Sequence, residues 1–205
     1  VTLTSADDNR QRCSWAGTDP EYRRYHDEEW GIPLHGDRPL FEKISLEAFQ
    51  SGLSWITILK RRPAFRTAFH NFDIARVAEL SDGEVEELMA NTGIIRNRAK
   101  ILATRSNARI TLDLAAHAPG ALDELVWNAR PLNTRPRPHS AADIPAITAE
   151  STALSATLRG LGFRFVGPTT MYALMQSAGI VDDHVTGCWR ATSEPIPQLP
   201  APPAD

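Results

Sequence analysis

No stretch of the sequence approaches the roughly 18 consecutive apolar residues of a membrane-spanning helix, which argues against a helical membrane protein. The opening segment, Val1 to Arg12, lacks the apolar centre of a signal peptide. Cysteine is almost missing, and Cys13 and Cys188 lie at opposite ends of the chain, which is no disulfide framework. The cytoplasm is therefore the expected location. A surplus of positive charge is missing too, since 22 Lys and Arg face 25 Asp and Glu for a net charge of −3. That argues against a protein that coats nucleic acid by bulk charge. No internal repeat and no convincing linker divides the chain. What is present is an ordinary globular composition, 42% apolar and 23% charged over 205 residues, enough for one domain with its own core.

The charges are sorted by sign. Asp73, Glu79, Asp82, Glu84, Glu86 and Glu87 crowd one segment beside a lone Arg76. Leu88 to Leu112 then holds Arg96, Arg98, Lys100, Arg105 and Arg109 with no carboxylate. Ala48 to Phe72 and Ser151 to Val181 are likewise free of acids. Such segregation suits a protein with one face against phosphates and the other in water. Each run taken alone reads equally as a solvated helix face.

Helix follows helix along the chain, and the expected class is all-α. Thr18-Asp19-Pro20 supplies a capping side chain and a first-turn proline for a helix from Glu21 to Trp30, which Gly31 ends. Asp37 and Pro39 open a second helix to about Ser51. Ser54 restarts it at Trp55, and Pro63 is expected to stop that run after Arg62. Short helices are expected over Pro63–Phe69 and Ile74–Leu80, the latter capped by Asp73. Ser81 and Glu84 have capping-box spacing for a helix ending near Asn91. Asn97 to Leu112 repeats Ile101, Leu102, Ala108 and Leu112 at helical spacing, and Gly120 to Trp127 gives another helix. Asn128 to Pro138 is a loop, and Ser151–Leu161 and Pro168–Ala178 form a final helical pair. The domain is expected to span 12–191, with 1–11 and the proline-rich 192–205 disordered.

Three constellations can carry chemistry. Cys13 and His26 near the start, with His184 and Cys188 near the end, make a complete tetrahedral set for zinc. Spacing alone favours the plainer reading, two separate buried thiols and two incidental histidines. Next, Trp15, Tyr22, Tyr25, Trp30 and Trp55 gather in sequence around Glu47, a carboxylate in an otherwise apolar and neutral stretch from Ile44 to Leu59. Burying a carboxylate unpaired is costly, so it is either solvated or kept inside for a purpose. Flat aromatic walls around one acceptor suit a planar heterocycle with N–H donors or positive charge. Core packing around a solvated Glu47 has equal standing. Third, Gly160 to Gly167, with Arg159 and Arg164, joins two helices and opens a helix N-terminus where backbone N–H groups can hold a phosphate. Gly93 to Lys100 is a second basic helix entry, although a turn that merely separates core helices looks the same.

These segments together resemble the 3-methyladenine DNA glycosylase I family. The resemblance rests on Arg12-Cys13-Ser14-Trp15, Tyr25 to Gly31, Leu46-Glu47, Ser51 to Thr57, Gly93 to Arg96, Gly162 to Gly167, and Asp183 to Cys188. It covers about residues 12–190, and several motifs in order are far more specific than any one. It implies a helix-hairpin-helix glycosylase fold, with one structural zinc ion joining the ends through Cys13, His26, His184 and Cys188. It implies that Glu47 and Tyr25 hydrogen-bond the methylated base, with Glu47 as the catalytic residue. Trp55, Trp15, Trp30 and Tyr22 become pocket walls. Gly52 and Leu53 match the loop that fills the gap left by a flipped nucleotide. Arg96, Arg98, Lys100, Arg164 and Gly167 are expected to meet DNA. Trp189-Arg190 and the proline-rich tail depart from the family pattern without touching the pocket.

The implied substrate is double-stranded DNA containing alkylated adenine, with the enzyme acting as a monomer and away from membranes. Methylation at N3 makes adenine cationic, so the base leaves neutral and no strong general acid is required. Flipping the lesion into the aromatic pocket supplies much of the selection. Asp183 is read as support for the histidine ligands, not as a catalyst. One rival is a zinc-stabilised helix-hairpin-helix module that binds DNA without catalysis. A second is a small-molecule enzyme with an aromatic cage for a free cationic heterocycle. Glu47 among the aromatics argues against the first rival, and the basic hairpin against the second.

Overall fold

The computed structural model describes residues 3–5, 8–133 and 135–191. Two three-residue strands, β1 (Leu3–Ser5) and β2 (Gln11–Cys13), pair antiparallel with Leu3 opposite Cys13. Nine α-helices follow among the described residues: α1 (Pro20–Glu28), α2 (Asp37–Gln50), α3 (Trp55–Ala68), α4 (Ile74–Ala78), α5 (Asp82–Ala90), α6 (Arg98–His117), α7 (Ala121–Trp127), α8 (Ala149–Gly160) and α9 (Pro168–Ser177). The expected helices are present, with a short ribbon that the sequence reading had no place for. Within 1–11, read from sequence as disordered, Leu3–Ser5 forms β1. The proline-rich tail, 192–205, lies outside the described residues.

The caps behave as their chemistry dictates. Asp19 accepts from the backbone N–H groups of Glu21 and Tyr22, with Pro20 in the first turn of α1. Ser81 and Glu84 form a reciprocal capping box on α5, and Asn97 caps α6 through Lys100 N. Thr148 caps α8, which therefore begins at Ala149 instead of Ser151. Two boundaries differ more. α6 runs on to His117, and α3 passes through Pro63, where the sequence predicted a break. Pro63 is exposed, whereas Trp55, Ile58, Leu59, Arg62 and Phe65 are buried. The ring leaves the intrahelical bond to Leu59 O unmade, and burial of the opposite face carries the helix through.

α2 is the axis of the fold. It packs against α3, α6, α7 and α9, and Leu40, Phe41 and every residue from Lys43 to Phe49 are buried. Enclosure on all sides explains how a helix with Lys43 and Glu47 on it takes both charges inside. Phe41 and Phe49 of α2 join Phe65, Phe69 and Phe72 in edge-to-face, tilted and stacked ring contacts. The α8–α9 hairpin is held from outside by α6. Asn107 accepts from Arg164 N at 2.9 Å and donates to Arg164 O at 3.1 Å. No helix among the described residues is long and apolar enough to cross a membrane.

Candidate active site and candidate metal centre

α2, α1 and α9 converge on an open cavity of about 200 Å3, lined by Trp15, Tyr22, Tyr25, Trp30, Glu47, Gln50, Trp55, Ile144, Ala173, Gln176 and Ser177. All six residues assigned to the base pocket from sequence are among them. Tyr22 and Tyr25 reach it because they lie three apart on α1. Trp15 follows the β-ribbon on a single helical turn, and its ring lies 5.0 Å from both Tyr22 and Trp30. Tyr25 meets Trp55 at 5.4 Å. The Trp55 indole N–H is buried, with no hydrogen-bond partner among the described residues.

Glu47 is only 4% exposed. Ser177 donates to its Oε1 at 3.1 Å, and no ion pair reaches it among the described residues. Burial raises its carboxyl to about 7, although the charge of Lys43 and the Ser177 hydrogen bond pull it down. Tyr25 is pushed well above the usual phenol range by burial and by the Glu47 charge, so it stays a hydroxyl donor. The cavity thus offers one acceptor of adjustable charge between flat apolar walls.

The second constellation also assembles. Cys13, His26, His184 and Cys188 are all buried, and one ligand atom from each lies within 4.8 Å of the others. His26 Nε2 approaches Cys188 Sγ at 3.4 Å, and His184 Nδ1 approaches Cys188 and Cys13 at 3.5 and 3.7 Å. These four residues could hold a metal ion. Contact between the two thiols pushes Cys13 up and Cys188 down. Gly31 sits at φ +78°, and a Cβ there would lie 3.0 Å from His184 Nε2, so only glycine leaves room for the ring.

The support for the histidines differs from the sequence reading. Asp183 touches neither ring. It accepts from Tyr172 and from Gln176 at 2.9 Å, and it meets Arg135 at 3.3 Å. Asp27 takes the expected role, with Oδ1 2.8 Å from His26 Nδ1 while it accepts from Arg12 and Trp189. His184 Nε2 lies 3.3 Å from Trp30 O. The Trp30 ring packs on His184 at 4.6 Å, so the cavity wall and the Cys/His cluster share a residue.

The residues expected to face DNA divide. Arg96 and Arg164 are exposed without a described ion pair, and Gly167 caps α9. Gly52, at φ +86° with open space around it, and Leu53, 42% exposed, form the tip of the α2–α3 turn. Arg98 is exposed but ion-paired with Glu86. Lys100 is a correction: it is buried and donates to Phe49 O at 3.0 Å and Ser51 O at 2.9 Å. It ties the base of the Gly52–Leu53 turn to α6 and cannot contact a phosphate from there. Sequence reading also missed Lys43, Ser177, Gln176, Asp27 and Asn107. The apolar window around Glu47 starts one residue after Lys43, so a partner at four-residue spacing stood just outside it.

A family model described as methyladenine glycosylase matches residues 15–191. DNA-3-methyladenine glycosylase 1 of Escherichia coli (strain K12) is 45% identical over 181 residues, covering 87% of this chain and 95% of that one. A crystal structure of a 3-methyladenine DNA glycosylase I superposes with a TM-score of 0.85 at 45% identity, covering 89% of this chain and all of that one. A variant of such an enzyme in complex with 3-methyladenine superposes with a TM-score of 0.81 at 31% identity, covering 87% of this chain and 96% of that one.

Proposed function

The chain belongs to the methyladenine glycosylase family, and we propose that it excises 3-methyladenine from duplex DNA by holding the flipped base against Glu47. It is a hydrolase of N-glycosyl bonds. The observation that carries the pocket assignment is a buried carboxylate, free of any described ion pair, inside an aromatic cavity. A module that only bound phosphates would gain nothing from such a residue.

The chemistry follows from the charge on the lesion. The flipped cation slides between Trp15, Trp30 and Trp55, and its charge and N–H groups face Glu47. The Tyr25 hydroxyl supplies a donor for a ring nitrogen. The C1′–N9 bond breaks with its electron pair going to the base, which leaves neutral, while water adds at C1′ and releases a proton. Since the base departs neutral, no acid has to protonate it. Uracil and hypoxanthine are neutral and would need one. Neither is expected to be released from DNA, which chromatography of the free bases checks directly.

Zinc suits the Cys/His cluster. Zn–S bonds of about 2.3 Å and Zn–N bonds of about 2.0 Å give tetrahedral S···N edges of roughly 3.6 Å. The S···N distances of 3.4, 3.5 and 3.7 Å match that edge. Cys13, His26, His184 and Cys188 would hold one ion, and four protein ligands leave no position for reactive water. Its role is to join β2 and α1 to the end of the domain and so fix Trp15 and Trp30.

DNA is held elsewhere, by Arg96, Arg164 and the N-terminus of α9, with Leu53 filling the space left by the flipped nucleotide. All these groups come from one chain, and a monomer suffices. Arg164→Ala should weaken duplex binding, and the slope of log K against log salt should shrink by about one. Binding of free 3-methyladenine should be unchanged. An unaltered salt slope would remove Arg164 from the DNA contact.

A further inference from the structure

Lys43 is 8% exposed and has no carboxylate within ion-pair distance among the described residues. Its Nζ lies 5.1 Å from the centre of the Tyr25 ring and 5.6 Å from that of Trp55, on walls of the base cavity. It also makes a long contact, 3.5 Å, to the Tyr25 hydroxyl as a donor. Yet Lys43 does not line that cavity. It lines a second one of about 200 Å3, together with Glu29, Glu42, Arg62 and Ser177. The ammonium therefore stands behind the aromatic wall, one helical turn from Glu47 and out of reach of a base in the pocket.

We infer that Lys43 is a positioning residue, a rear cation that favours the charged form of Glu47 and turns the Tyr25 hydroxyl toward the base. The inference rests on the assignment of Glu47 to the base site. Without that cation, burial would push the carboxyl higher still, and a neutral carboxyl cannot favour a cation. Placing the balancing charge in the pocket would repel the lesion, and placing it behind Tyr25 and Trp55 avoids that. Because Lys43 donates to the Tyr25 oxygen, the phenol proton is left to point elsewhere.

The charged surroundings are consistent with a fixed cation. On α2 itself Glu47 faces Lys43. From α1 it is faced by Tyr22 and Tyr25, whose ionisation its charge suppresses. α3 contributes Trp55 and α9 the uncharged Ser177 and Gln176. Lys43 in turn feels Glu47, Glu29 and Glu42 as attraction and Arg62 as repulsion, while burial lowers it from the usual lysine range. Arg62 is itself ion-paired with Glu29.

The test is the pH profile of 3-methyladenine release and of free-base binding for Lys43→Met, Lys43→Gln and Lys43→Arg. Met and Gln should move the acid limb up by about one pH unit, giving about tenfold lower activity on that limb and recovery at alkaline pH. Arg should leave the limb in place. Limbs that superpose on the wild type, whether activity is kept or falls equally at every pH, would overturn the role. If the neutral variants fail to fold, nitrogen NMR of labelled lysine in the wild type decides, since Lys43 must be an ammonium at pH 7.5. A neutral amine there would overturn the proposal. Absence of release by the wild type at any pH would instead strike the assignment of the site, and the NMR result needs no substrate.

Discussion

Glu47→Gln is expected to lose function and gain stability at once. The loss comes from replacing a charge-assisted hydrogen bond, worth roughly 1.5–3 kcal/mol, by a neutral contact. Binding of free 3-methyladenine should fall about ten- to a hundredfold, as measured by calorimetry. The gain follows from burial, which raises the carboxyl from 4.5 to about 7. A raised carboxyl favours the folded state at low pH and loses that advantage as pH climbs through the folded value. Between pH 4.5 and 7 the wild type should become progressively less stable than the amide variant. The full difference, about 3 kcal/mol at most, should be reached above pH 7. Thermal melts from pH 4 to 9 check the sign. A residue kept only for packing would show the reverse, a less stable variant at every pH.

Cys188→Ala should produce the largest loss of stability. Structural zinc in small peptides contributes about 10–16 kcal/mol of folding energy. This domain has a core of its own, so removal should lower the melting temperature without unfolding the chain at room temperature. Metal analysis should give one zinc per wild-type chain and a substoichiometric value for the variant. The effect should spread to the pocket. Trp30 contacts His184 through both its ring and its carbonyl, and Trp15 lies 5.1 Å from the His26 ring. Free-base binding should therefore weaken in parallel with zinc loss, although no ligand of the ion touches the base. A wild type without metal and equally stable would refute the zinc assignment.

What could be read from sequence was set by how local the signal was. Helix starts at Asp19, Ser81 and Asn97 rest on one side chain and the next three residues, and the cap bonds are made there. The break expected at Pro63 failed because burial of Trp55, Ile58 and Phe65 on the other face outweighs one missing hydrogen bond. The β-ribbon was illegible, since three residues per strand carry no period-two pattern and Leu3 gains its place only by packing near Cys13 and Val185. Within the site, aromatics and Glu47 stood out by composition, and the Cys/His cluster by motif. Lys100 did not, because a lysine in an acid-free run looks like a phosphate contact until Phe49 O and Ser51 O are brought beside it. Asp183 and Asp27 were told apart only by the fold, which turns the first toward Tyr172 and the second toward His26.

The most direct test is release of free bases from methylated duplex DNA by the zinc-loaded wild type and by Glu47→Gln, followed by chromatography at pH 7.5. The wild type should release 3-methyladenine and leave uracil and hypoxanthine in place. The variant, equally folded and with equal affinity for undamaged duplex, should be slower by a factor of ten or more. A folded, zinc-loaded wild type that releases no 3-methyladenine would contradict the function. A Gln variant that releases it at the wild-type rate would contradict the role of Glu47.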